Sequence, residues 1–186
     1  GPISRSLFRR FSIGGDDRKP LTPYVWVNYW RGDAGHSNSL SLSSELDLKV
    51  ASRFNSALSV NWSRNLNDTQ WYGNLGSAGA PHYTFARLDQ STVGVTLRLN
   101  YTFTPNVSLQ VYAQPFVSKG TYSDVRELSA TPRAALYADR YQPYGDTAVA
   151  NSPGGFNYKE FRSNVVFRWE YRLGSTLFVV WTQGRQ

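Results

Sequence analysis

Residues 92–103 read TVGVTLRLNYTF: Val93, Val95, Leu97, Leu99, Tyr101 and Phe103 alternate with Thr92, Gly94, Thr96, Arg98, Asn100 and Thr102. Successive side chains of a strand point to opposite faces, so this run has one apolar and one polar face. The same period of two recurs outward in both directions. Leu40, Leu42, Leu46, Leu48 and Val50 alternate with Ser39, Ser41, Glu45, Asp47 and Lys49. Leu58, Val60 and Trp62 alternate with Ser59, Asn61 and Ser63; Val107, Leu109 and Val111 follow with Ser108 and Gln110. Phe161, Val165, Phe167, Trp169 and Tyr171 oppose Arg162, Asn164, Arg168, Glu170 and Arg172. The stretches YVWVNYW (24–30) and STLFVVWT (175–182) are apolar on both faces but rich in β-branched and aromatic residues, which also suits strands. The pattern predicts seven strands and an eighth less regular one.

Run length and connections decide between β architectures. Ordinary strands average about 5–6 residues, whereas several runs here last about eleven. At roughly 3.3 Å per residue and a tilt near 45°, eleven residues cover about 25 Å, the height of the apolar band of an outer-membrane barrel. Short links (51–56, Thr104-Pro105-Asn106, Leu173-Gly174) alternate with longer excursions (31–38, 67–81 and 118–160). In an up-and-down sheet this puts the short turns at one rim and the long loops at the other, as in outer-membrane barrels. Tyr101, Phe103, Trp169 and Tyr171 end strands beside short turns, where a membrane interface accommodates an aromatic ring with a polar tip. The expected fold class is therefore all-β: an antiparallel up-and-down transmembrane β-barrel, partial, of about 7–8 strands with long loops on one rim. Residues 24–186 form the barrel segment, with long loops 67–81 and 118–160. Residues 1–23 form a leading segment to which the pattern assigns no structure, because Arg5, Arg9 and Arg10 interrupt its apolar residues.

The composition excludes several classes. Among 186 residues there is no Cys, so no disulfide framework, thiolate metal site or cysteine nucleophile exists. No apolar stretch approaches the ~18 residues of a spanning helix. Met is also absent, even at position 1, so the start is expected to be processed, engineered or internal to a longer gene product; no charged-then-apolar signal segment is present. Twenty Lys and Arg against thirteen Asp and Glu give a net charge of +7. A pI near 9.8 raises nucleic acid as a partner. The strand-borne basic residues share their face with acids, however, rather than forming one open basic and aromatic platform. Nucleic acid is therefore not expected, whereas anionic lipopolysaccharide near the loops is a candidate for the positive charge.

The stretches HYTFARLDQSTVGVTLRLNYTFTPNVSLQVYAQPF (82–116) and FRSNVVFRWEYRLGSTLFVVWTQGR (161–185) resemble the C-terminal barrel of a bacterial family of large outer-membrane proteins of unknown function. Its members carry an N-terminal module similar to family-nine carbohydrate-binding modules. The similarity runs over most of residues 24–185, with Leu173 standing where the family often has Pro. It implies residence in the outer membrane of a Gram-negative bacterium and a link to carbohydrate. No counterpart of the module or of the family's final aromatic-ended strand lies in this sequence, so no residue here inherits carbohydrate binding, and the resemblance implies no catalytic residues. The expectation is that the strands pair with the remainder of a barrel, a separate polypeptide or another copy of the chain. Lipid cannot satisfy open strand edges, at several kcal/mol per polar group.

Candidate sites follow from the faces. Glu45, Asp47, Lys49, Arg98, Arg162, Arg168, Glu170 and Arg172 share the polar side and are expected to line a lumen, either as a selectivity lining or as a salt-bridged closed interior. Trp71, Tyr72, Tyr137, Tyr141 and Tyr144 lie in the expected long loops near Asp124, Glu127, Asp139 and Asp146, a mixture suited to stacking on and hydrogen-bonding a sugar. TYSDVREL (121–128) is expected to extend the barrel wall, and PRAALYADR (132–140) to form a short helix. His36 and His82 lack a metal-ligand spacing, and no GxSxG elbow or phosphate-binding glycine pattern is present. No metal, cofactor or catalysis is expected. The expected function is a pore, scaffold or part of a transport apparatus, with outer-membrane lipid as partner and carbohydrate as candidate ligand. The rival readings are a soluble β-sandwich binding polysaccharide and a barrel-borne hydrolase acting on carbohydrate.

Overall fold

The computed structural model describes residues 6–50, 52–77 and 80–186. The chain forms one antiparallel sheet of nine strands in which neighbours in sequence are neighbours in space. In chain order these are β1 (Leu7–Gly14), β2 (Leu21–Gly32), β3 (Ser37–Lys49), β4 (Phe54–Ser77), β5 (Ala80–Thr104), β6 (Val107–Leu128), the short β7 (Tyr141–Pro143), β8 (Gly155–Arg172) and β9 (Ser175–Arg185). β6 pairs with both β7 and β8, and one short helix, α1 (Thr147–Asn151), lies between those two strands. The sheet is open, with β1 and β9 at its edges.

The all-β, up-and-down organisation is as expected, but three segments differ. The leading segment is not irregular: Leu7–Gly14 pairs residue by residue with Tyr24–Arg31. Its arginines obscure the alternation because Arg9 falls on the apolar face, opposite Tyr29, and Arg10 on the polar face, where its Nε donates to Asn28 Oδ1 at 2.9 Å. Arg5 lies outside the described residues. The expected loop 67–81 is mostly strand: β4 and β5 stay paired to Ser77 and Ala80 through two register shifts, with 78 and 79 outside the described residues. Bulges of this kind let Gly- and Asn-rich sequence remain in a sheet. The expected loop 118–160 likewise shrinks to 129–154, because β6 runs to Leu128 and β8 begins at Gly155. The asymmetry between rims therefore lies chiefly in projecting strands. TYSDVREL does extend the wall, whereas of 132–140 only Ala138–Arg140 makes a single 3-10 turn.

The register is staggered. One ladder row joins Leu21, Leu48, Ser56, Leu99, Val111, Val165 and Trp181. Leu21 is the first residue of β2, yet β8 continues past Val165 to Arg172. Each hairpin is thus displaced along its neighbour, and the turn at Leu173-Gly174 uses the positive φ of Gly174 (79°).

Most of the sheet lacks a packed core. The buried apolar residues are Ala86, Leu88, Val125 and Tyr137, all in or beside the projecting ends of β5 and β6, while Leu42, Leu58, Val60, Val93 and Val179 are exposed. The accessible surface is 12540 Å², against about 9,000 Å² for a compact monomer of this mass. In the projecting part, β6 and β8 approach closely at Gly120 and Gly155. A Cβ on Gly155 would lie 2.4 Å from the Gly120 carbonyl oxygen, a backbone atom that cannot swing away. Gly155→Ala is expected to lower stability by about 1–3 kcal/mol, read as a lower urea midpoint at unchanged slope; an unchanged midpoint would show that the two strands separate at no cost.

Candidate functional site

Two regions gather polar side chains: the polar face of the sheet, and a cluster where β4, β5 and β6 project beyond β2 and β3. On the polar face, ladder pairing puts Glu45 beside Ser59, Asp47 beside Ala57 with Arg98 one strand farther along that row, and Lys49 beside Asn55. Arg162 and Arg168 stand opposite Gln114 and Ser108, again on this face, as does Glu170 opposite Thr176. Arg172 follows a register shift beside the last turn. The sequence-assigned charges thus share one side, but they are spread along the strands rather than gathered at one point. Their bonds are local: Ser59 Oγ donates to Glu45 Oε2 at 2.9 Å, Arg168 Nη2 to Glu170 Oε2 at 3.0 Å, and Arg162 Nε to Glu160 Oε1 at 2.5 Å. Arg98 sits 5.8 Å above the ring centre of Tyr112. Ser41, Ser43, Asn61, Ser63 and Thr92 fill the space between, lining a shallow depression. Such a surface holds water and ions but aims no group at a single point.

The projecting cluster is more tightly built. Asp68, in the bulge of β4, is 2 % exposed, and its carboxylate accepts a 2.8 Å hydrogen bond from the Tyr137 hydroxyl. Arg126 Nη2 lies 3.2 Å from the same carboxylate and also donates to the Asp68 carbonyl oxygen, while Arg87 stands 3.8 Å away. The backbone N–H of Asp68 donates to Ser37 Oγ at 2.9 Å, and Ser37 donates in turn to Asp33 Oδ2. Asp33 and Ala34 hold φ of 51° and 55° in the tight link from β2 to β3, a strain that these side-chain bonds offset. His36 stacks on Tyr137 with ring centres 4.4 Å apart, and Arg126 covers the Tyr141 ring at 4.8 Å. A buried carboxylate demands such company, because an uncompensated charge there costs several kcal/mol. The cluster ties the β2–β3 link, the β4 bulge, the end of β6 and the segment carrying Tyr137 into one knot.

A second contact stitches the same rim. His82 Nδ1 meets Glu127 Oε2 at 2.5 Å, Gln142 Nε2 donates to Glu127 Oε1 at 2.7 Å, and Tyr144 packs edge-on to His82. The hydrogen bond from His82, with that from Gln142, holds the Glu127 carboxyl below its usual range. The aromatic residues expected to meet a sugar are therefore largely engaged within the protein. Tyr137 and Tyr141 belong to the knot, Tyr72 donates to the Pro153 carbonyl at 2.8 Å, and Tyr144 covers His82, whereas Trp71 is exposed. Tyr101, Phe103, Trp169 and Tyr171 occupy the apolar face near the short turns, in pairs at 4.6 Å and 6.0 Å. Among the described residues, no group of three or more His, Asp or Glu could hold a metal ion.

The sequence reading missed Asp68, Ser37 and Arg126, which come from distant parts of the chain. Asn67-Asp68-Thr69 reads as a turn, and nothing local marks its middle residue as buried. The faint signal is Arg126 beside Asp124 at the end of a strand pattern, a cation in need of a partner.

The family model described as Domain of unknown function (DUF5916) matches residues 3–186. No curated protein and no solved structure matches the chain.

Burial first, and then the hydrogen bond to Asp68, raise the Tyr137 hydroxyl well above the ordinary tyrosine range. Since the folded value exceeds the unfolded one, this contribution is complete below about pH 10 and is lost as pH rises through the folded value. Tyr137→Phe removes a hydrogen bond to a charged group, worth about 1.5–3 kcal/mol. Amide exchange at 129–140 is expected to accelerate in that variant at neutral pH, and its extra alkaline loss of protection is expected to disappear. Exchange equal to that of the original chain at both pH values would show that the knot does not hold this segment.

Proposed function

We propose, for a chain that belongs to the family described as Domain of unknown function (DUF5916), that it forms part of the wall of an outer-membrane β-barrel, non-catalytic, with lipid against its apolar face and water against its polar face. The observation that carries this reading is the exposed apolar face, continuous from β2 to β9. One of its rows runs Phe54, Tyr101, Leu109, Phe167, Val179 across five strands. Water makes so large an apolar surface costly, at roughly 25 cal/mol per Å², whereas lipid tails do not.

The stagger supports the same reading. Leu40 on β3 shares a row with Arg64, Ser91, Lys119 and Asn157, yet the apolar run of β8 begins only at Phe161, four residues past Asn157. At the other end, the run of β2 stops at Leu21 and that of β8 at Tyr171, six residues past its row partner Val165. With about 3.3 Å per residue and 4.8 Å between strands, both ends of the band slope about 35–40° from the rows. That is the tilt that transmembrane barrel strands adopt. Residues of β4, β5 and β6 beyond the band form a wall outside the membrane, closed over by the Asp68 knot.

The polar face then borders a lumen in which Arg162 pairs with Glu160 and Arg168 with Glu170, which favours a scaffold or a filled passage over a selective pore. Both edges are prepared for a partner that completes the barrel: Leu177, Phe178, Val179, Val180 and Trp181 on β9, and Phe8, Phe11 and Ile13 on β1, are exposed on both faces.

Adjacent substitutions on β4 test the two faces. Leu58→Arg is expected to cost about 2–4 kcal/mol and to abolish folding into lipid vesicles, while Asn61→Arg leaves the folded yield nearly unchanged. A soluble sandwich would stay monodisperse without detergent, and that behaviour in the original chain would refute the membrane reading.

A further inference from the structure

The basic residues on the apolar face are not scattered. Face by face along the ladder, Arg9 on β1, Arg31 on β2, Arg64 on β4, Lys119 on β6, Lys159 on β8 and Arg185 on β9 all lie on the apolar side. Each is the first charge met beyond the apolar run of its strand, toward the rim of the projecting strands. The next outward-facing residues within the run are Phe11, Tyr29, Trp62, Val117 and Phe161 on the first five of these strands. From β6 to β9 these cations step down with the slope of the band, whereas from β1 to β6 they stay within two residues of one row. Arg9, Arg64 and Lys119 share one row, Lys159 lies two residues lower on the next strand, and Arg185 two lower again on the one after it. The opposite border of the same face carries Tyr101, Phe103, Trp169 and Tyr171, and its cations Arg18, Lys19 and Arg53 sit in the turns beyond the strands.

We infer that this belt binds the phosphate groups of a phosphorylated glycolipid, the bisphosphorylated glucosamine headgroup of lipid A, in the leaflet on the side of the projecting strands. The inference rests on the membrane reading above and adds to it an orientation and a lipid. Charge complementarity selects the occupant. A guanidinium meets phosphate with two parallel hydrogen bonds, and cations at the edge of the band cost little to hold there. Asp89 already pairs with Arg64, so a zwitterionic headgroup would leave the other five cations of the rim without net compensation.

The surface has the relief for such a headgroup. A depression of about 760 Å³ on this face is lined by Tyr29, Trp62, Arg64, Arg87 and Asp89 among others, and a second one beside it by Arg64, Ser91, Lys119 and Thr121. Arg64 separates the two. Its Nε and Nη2 donate to Asp89 at 3.2 and 2.7 Å, which fixes the guanidinium plane and leaves Nη1 for an incoming oxygen. Trp62 lies directly below Arg64 on the strand, where its ring supports the sugar over the first acyl carbons.

The test separates this inference from the membrane reading. The chain is first folded into phosphatidylcholine vesicles and then titrated with lipid A or with its phosphate-free counterpart. Lipid A is expected to bind at least tenfold more tightly than the phosphate-free form, with a preference that weakens as salt rises. Arg64→Gln with Lys119→Gln is expected to reduce lipid A affinity at least fivefold. Arg18→Gln with Lys19→Gln, the same charge loss in the turn at the opposite border, changes it less than twofold. Insertion with equal affinity for both lipids, or equal losses in the two double variants, would overturn the belt and leave the membrane reading standing. Failure of the original chain to enter the vesicles would overturn both.

Discussion

The structure depends on one constraint: the backbone groups of each strand are satisfied by its neighbouring strands, a demand that becomes absolute in the lipid setting proposed above. A β-sheet meets that demand through its ladder, and the side chains then divide by parity. The continuous pairing from β1 to β9 supplies the ladder. The apolar residues are thereby committed to one face, and in the proposed membrane setting the stagger of the hairpins sets how that face crosses the bilayer. The two open edges are what the same constraint leaves unfinished, because their peptide groups need a further strand in lipid.

Among the described residues, apolar burial is confined to the projecting ends of β5 and β6 and to Tyr137 beside them. There β4, β5 and β6 pack as in an ordinary folded domain, with Ala86, Leu88 and Val125 inside. A hydrophobic core so small cannot by itself order the segment 129–154. The Asp68 carboxylate does part of that work, since one buried charge satisfied by Tyr137 and Arg126 fixes residues that are distant in sequence. Such an arrangement is better suited to specifying a conformation than to adding net stability.

How much was legible in the sequence follows from which residues obey parity. Strands β2 to β5, β8 and β9, and the first half of β6, alternate or are plainly β-forming, so Glu45, Arg98 and Arg168 could be placed on one side and Tyr101 and Trp169 on the other before any coordinates. Parity fails at β1, where adjacent Arg9 and Arg10 serve opposite faces. It also fails in Trp71–Ser77, where glycine and asparagine resemble a loop until β5 is paired against them. The Asp68 knot was out of reach because its contacts span 58 and 69 positions, and no local pattern encodes a partner so far away. Of the aromatics expected to meet a ligand, Tyr137 and Tyr141 are engaged in contacts within the fold.

The most direct measurement uses the absence of cysteine from the chain. Single cysteines placed in turn at positions 57 to 64 of β4, in vesicles, are labelled with a fluorophore and exposed to a lipid-soluble and a water-soluble quencher. The account predicts that positions 58, 60 and 62 respond to the lipid-soluble quencher and 59, 61 and 63 to the water-soluble one, with the balance shifting at 64 as the border is reached. Water-soluble quenching at every position, or protection of 58, 60 and 62 from both reagents by a second layer of protein, would contradict it.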